Sequence, residues 1–186
     1  MDGTDTCTVL GAADRLSLNI KPSSSNSAPP AWWCFEVFGW RIYCYNFFWR
    51  QQAIAHHDLH HILIGSPFTL LGEMRVATWE YAAGRYRNVF ANLFCLPLVV
   101  VGCCLIPKAV WSAFRHGRTS RSIFATPITD DLLGLQLREF RARFTHQRPA
   151  KPIWIDFGLF AGLVGLSALS ITAPIGLVVW LLATSL

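Results

Sequence analysis

The stretch His56-His57-Asp58-Leu59-His60-His61, followed by Glu73 after eleven further residues, holds four of the six histidines in this 186-residue chain. We read it as the end of a helix running to Ile64. Gly65-Ser66-Pro67 then breaks the helix and restarts another, with Ser66 as N-cap and Pro67 at the first helical position. At about 100° per residue, His61 lies about 40° around the helix from His57, and Asp58 about 100°. These three share one sector of the surface, while His56 and His60 form a second i, i+4 pair turned the other way. Two neutral imidazoles one turn apart are a well-spaced pair of metal ligands. Glu73, early in the next helix, folds back to complete a His/Asp/His/Glu set. Two nitrogens and two carboxylates suit zinc, and Fe(II) or Mn(II) also accept them. His57, Asp58, His61 and Glu73 are therefore the expected metal-holding and catalytic residues. Along the second helix, expected to end near Gly84, Glu73, Ala77, Glu80 and Gly84 share one face.

Working outward, residues 1–31 are polar and small and end in Pro29-Pro30. They read as a mobile, disordered leader. Residues 32–50 change character abruptly, with ten aromatic rings between positions 31 and 50. This segment reads as an interfacial aromatic helix, because rings with a polar edge settle at the headgroup level of a bilayer, or equally as a packed aromatic core helix. Val89–Ile106 is apolar but carries Asn92 and Pro97 and ends at Pro107; it reads as a buried or half-inserted helix. Residues 108–117 are expected to be helical and 118–126 a loop. Thr129-Asp130-Asp131 opens a further helix with Leu132, Leu133, Leu137, Phe140 and Phe144 inward and the arginines outward. Residues 147–152 read as a linker.

The clearest membrane signal is Phe157–Ser185, an uncharged run whose helical length exceeds a hydrocarbon core of about 30 Å. Gly158 and Gly162 form a GxxxG step, and Pro174 can kink the helix. The fold class is thus all-α: a small helical domain over 32–150 with a metal-binding helix pair, and a transmembrane anchor over 155–185. The composition agrees, with 15% charged and 53% apolar residues and a mean hydropathy of +0.36. Between Lys108 and Lys151 there are nine Lys/Arg against three acids. Because this segment leads straight into the apolar tail, anionic lipid or retention on the cytoplasmic side explains the charge, and nucleic acid is not an expected partner. The domain is expected on the cytoplasmic side of a bacterial inner membrane or on the matrix side of a mitochondrial one. The six cysteines have no CxxC spacing and read as reduced, buried thiols.

The spacing also carries a resemblance. His57-Asp58-x-x-His61, eleven residues, then Glu73 resembles the zinc motif HDxxH-x11-E of the Coq-four family of ubiquinone-biosynthesis proteins. The likeness continues through Trp79-Glu80 and Gly84, then Trp111, Gly117 and the helix at 131–144, covering about residues 45–147. It implies an all-helical protein at a membrane surface that holds a prenylated aromatic lipid in an apolar groove. It further implies oxidative removal of the ring carboxylate at C1, making the protein a lyase, with His57, Asp58, His61 and Glu73 around a zinc ion and Glu80 as a partner to that shell. Association with other quinone-biosynthesis proteins is also implied. Two features depart from the family: only 56 residues precede His57, and the apolar tail is an addition. The aromatic segment 32–49 is then expected to rebuild part of the lipid tunnel.

Two other readings compete. A non-catalytic lipid-binding scaffold would use the same metal structurally to organise a quinone-biosynthesis complex. His57-x-x-His60-His61 is also a box of di-iron membrane desaturases and hydroxylases. Those resemble one another in carrying about eight histidines, whereas only His116 and His146 remain outside the cluster here. No GxSxG, P-loop or GxGxxG is present to support nucleophilic catalysis or nucleotide binding.

Overall fold

A computed structural model of the chain describes residues 7–16, 18, 20, 32–37, 40–86 and 88–185. The histidine stretch lies on α2 (Phe48–Ile64), which ends where the sequence places its end. Gly65 takes up the left-handed conformation at φ 64°, ψ 35°, and the Ser66 N–H returns to the His61 carbonyl at 3.0 Å. A side chain with a Cβ is strained there, so glycine sets the stop. The restart differs from expectation. α3 (Leu70–Ala83) is capped by Thr69, whose hydroxyl accepts from the Gly72 N–H. Ser66 is instead buried, and its hydroxyl donates to the Gly72 carbonyl. The loop passes so close that a Cβ on Gly72 would lie 1.8 Å from the Pro67 carbonyl oxygen. This approach fixes the position of Glu73, the next residue. Gly72→Ala is therefore expected to destabilise the fold by about 1–3 kcal/mol, read as a lowered midpoint in thermal unfolding; an unchanged midpoint would mean the loop relaxes freely.

Two expectations for the N-terminal third need correction. Within the supposed leader, Val9–Arg15 forms a helix, α1, with Val9 and Ala13 fully buried. Backbone bonds from Val9 N to Leu135 O and from Leu137 N to Cys7 O tie it to the far end of the domain. Residues 1–6 and 21–31 lie outside the described residues. The aromatic segment is not a helix over 32–50: β1 (Trp32–Val37) and β2 (Trp40–Tyr45) form an antiparallel hairpin with Val37 opposite Trp40. Aromatic and β-branched residues fit a pleated surface. Trp32 packs edge-on against Tyr45 at 5.9 Å.

Beyond α3 the body is helical, as the sequence indicates. The apolar stretch 89–106 divides at Pro97 into α4 (Val89–Cys95) and α5 (Pro97–Leu105), because proline has no N–H to continue the ladder. α6 (Pro107–Thr119) packs along α3. Thr129 caps α7 (Asp130–Gly134), and α8 (Leu137–Phe144) follows after a break. The five apolar residues assigned inward from the sequence are all buried, with Phe140 fully enclosed. They share a core with Leu59, Leu63 and Trp79. Among the cysteines whose side chains are described, none is a fully buried thiol: Cys34 and Cys104 are exposed, and Cys7, Cys95 and Cys103 are half-buried, while the Cys44 side chain lies outside the described residues.

α9 (Ile153–Thr184) is long and apolar enough to cross a membrane. Its start is pinned to α6. Asp156, 1% exposed, accepts from Arg115 at 2.5 Å and from Arg118 at 3.0 Å. Trp111 and Phe114 of α6 pack on Phe160.

Candidate metal centre

His57 and His61 point from one face of α2 toward Glu73 on α3. The two Nε2 atoms are 3.2 Å apart. The Glu73 carboxylate lies 2.8 Å from His57 Nε2 and 3.2 Å from His61 Nε2. One donor atom from each residue falls within 4.8 Å of the others. Ligands about 2.0–2.1 Å from a tetrahedral ion stand about 3.3 Å from one another, so the three atoms already have nearly the spacing of a coordination sphere.

The opposite ring nitrogens decide which atoms face inward. His61 Nδ1 lies 3.2 Å from the Ser66 carbonyl, which only accepts, so the proton of that ring sits on Nδ1. His57 Nδ1 lies 3.0 Å from Glu80 Oε1, and it too donates outward. Both Nε2 atoms thus present lone pairs toward the same carboxylate. Metal-binding histidines are commonly held in this way by a carboxylate or carbonyl behind the ring. Three acceptors facing one another repel unless a cation or an extra proton lies among them. In the metal-free chain the proton is on His57. Burial alone would lower its pKa, but Glu80 and Glu73 beside it outweigh that and push it up to about 10. Burial would raise Glu73, yet the bond from His57 and the imidazoles of His57 and His61 beside it bring it down to about 2.

Behind this triad lies a buried polar network. Glu80 is 1% exposed. Its carboxylate accepts from His57 Nδ1, from His60 Nδ1 at 2.7 Å and from the Tyr86 hydroxyl. His60 is wholly buried, and its Nε2 accepts from the Ile123 N–H at 3.0 Å. With one nitrogen donating and the other accepting it is a neutral core histidine, its pKa lowered chiefly by burial. His56 turns away: its nitrogens face the carbonyls of Gln52 and Thr126.

Of the four ligands expected from the sequence, three converge. Asp58 does not belong to the group within ligand distance. It follows His57 by about 100° around the helix, on the flank of the face that meets α3. It remains within electrostatic reach: burial raises its pKa, and His57 and His61 oppose that rise. Three participants had no sequence signal of their own. The Ser66 carbonyl is backbone, Tyr86 arrives around the Gly84 turn, and Phe68 stacks on the His61 ring at 4.2 Å while staying 38% exposed.

The donor chemistry suits a divalent cation. Two imidazoles and one carboxylate are the ligand set of open catalytic sites, whereas structural zinc is usually closed by four protein ligands. The Glu73 side chain is 33% exposed, so the side of the triad that the protein does not supply is reachable. The chain matches no family model, no curated protein and no solved structure.

Proposed function

We propose that this chain is a membrane-associated, metal-dependent protein of ubiquinone or related prenyl-quinone biosynthesis. It binds a prenylated aromatic lipid and carries out oxidative decarboxylation of its ring, with the oxidant supplied from outside the chain. The observation that carries this reading is the three-ligand set of His57, His61 and Glu73 at the spacing of the HDxxH-x11-E motif. These residues would hold zinc, with iron or manganese as alternatives. The bound metal would supply Lewis acidity toward the carboxylate and phenol oxygens of the ring. Glu80 and the Ser66 carbonyl keep the two imidazoles turned inward. Phe68 offers an exposed ring beside the site against which an aromatic head group can stack. The apolar helix α9 supports a bilayer as the source of the lipid. The Lys/Arg-rich domain then faces the cytoplasm or the matrix.

Elemental analysis and lipid mass spectrometry on one purified sample test this together. About one metal ion per chain is expected, falling to below a tenth of that in His57→Ala and Glu73→Ala, with a prenylated aromatic among the co-purifying lipids. Finding no metal in the unaltered chain would sink the site. A Glu73→Ala chain that keeps its fold but loses turnover of a carboxylated prenyl-aromatic supports the enzyme. Loss of partner proteins, with no turnover by the unaltered chain, supports the scaffold.

A further inference from the structure

α9 does not leave the domain at its start. Its packed stripe continues through Phe160, Leu163, Val164 and Ser167 to Ile171, and only 172–185 are exposed throughout. The helix that is long and apolar enough to cross a membrane is Ile153–Thr184, and Ser167 lies in its middle, within the segment offered to the bilayer. Whatever packs on α9 there meets lipid.

What packs there is α5. Ser167 is fully buried, and its hydroxyl accepts from the Val100 N–H at 3.0 Å while donating to the Leu96 carbonyl at 2.5 Å. In an unbroken helix those two groups would bond to each other; here a side chain from another helix stands between them. Broken backbone is tolerated at membrane depth only where protein satisfies its polar groups, and Ser167 does so at the Pro97 break. The direction of the chain follows. α5 begins at Ser167, and α6 after it meets Phe157, Phe160 and Asp156. From Ser167, α5 thus runs back along α9 toward its start, where α6 packs. Leu96 itself has helical φ and ψ, so α4 continues from the level of Ser167 in the direction away from the start of α9. It is apolar there, with Val89, Phe90 and Leu93 exposed by 66%, 68% and 52%.

We propose that α4–α5 is a second membrane element, inserted beside α9 into the nearer leaflet with Val89, Phe90 and Leu93 among the acyl chains. Its tie to the rest of the domain is polar: the Tyr81 hydroxyl donates to the Asn92 carbonyl, and the Asn92 amide donates to the Tyr86 carbonyl. The inference needs α9 to span the membrane but does not need the metal.

The test uses the full chain in phosphatidylcholine–phosphatidylglycerol vesicles with p-benzoyl-L-phenylalanine in place of Val89, Phe90, Leu182 or Arg138, one at a time. Irradiation attaches the benzophenone to nearby acyl C–H groups, and mass spectrometry of the digested chain counts phospholipid adducts. Positions 89, 90 and 182 are each expected to carry at least tenfold more lipid than exposed Arg138. Lipid at 182 with only the Arg138 level at both 89 and 90 overturns the proposal. No lipid at 182 removes the span by α9, and the proposal falls with it.

Discussion

Replacing Glu80 by alanine is expected to destabilise the folded, metal-free chain by about 3–5 kcal/mol, measured by urea or thermal unfolding in detergent. Its carboxylate is buried and is met by three donors: His57 Nδ1, His60 Nδ1 and the Tyr86 hydroxyl. Burial by itself would push its pKa up, yet the charge on His57 and the bonds from His57 and His60 bring it down to about 2. Alanine leaves an imidazolium, an imidazole N–H and a phenol without their acceptor in a low-dielectric setting, where breaking a pair costs more than the pair is worth. Glu80→Gln keeps the shape and one acceptor oxygen but turns an NH2 toward a donor, so its loss is expected to fall between the two.

The same network sets the pH window. Glu80 is depressed from 4.5 to about 2; its contribution is complete above about 4.5 and is lost as pH falls toward 2. His57 is raised from 6.5 to about 10; its contribution is complete below about 6.5 and is lost as pH rises through 10. Both describe one interaction, which is therefore fullest between about pH 4.5 and 6.5. The Glu80→Ala chain should be flatter across both limbs. If Glu80→Ala proves as stable as the original chain at about pH 6, then water, not Glu80, satisfies the three donors.

The parts of the site legible in sequence were those that depend on helical period alone. His57 and His61 at i, i+4, the stop at Gly65, the Glu73/Glu80 face of α3 and the buried stripe of α7 and α8 follow from 3.6 residues per turn. Asp58 falls outside the group of donor atoms that His57, His61 and Glu73 bring together, because adjacency in sequence is about 100° of rotation on a helix. The hairpin at 32–45 was misread because a dense aromatic run satisfies a helical and an alternating pattern equally. Val9 and Ala13 of α1 are too few apolar residues to stand out from a polar leader; only their contact with the end of the domain gives the segment its fold. The Ser66 carbonyl that orients His61 is a backbone atom, and no residue type announces it.

Titrating divalent zinc into the metal-free chain at pH 7 should release about one proton per chain, and the apparent affinity should rise about tenfold per pH unit from 7 to 9. His57 explains both. Its Nε2 faces Glu73 at 2.8 Å and His61 at 3.2 Å, and with a pKa of about 10 it carries a proton where the metal must bond. That proton leaves; the Nδ1 proton stays with Glu80. Glu73, held near 2, is already a carboxylate and releases nothing. His60, neutral with Nε2 bonded to the Ile123 N–H, does not take part. Because the tenfold slope reflects competition between one proton and one metal, it should flatten as pH approaches 10. In Glu80→Gln, which removes the leading contribution to the raised pKa, both the released proton at pH 7 and the slope should shrink. Calorimetry in two buffers of different ionisation enthalpy reads the proton count directly. Tight binding with no proton released would show that His57 is neutral before the metal arrives, and the charge balance drawn between His57, Glu73 and Glu80 would be wrong.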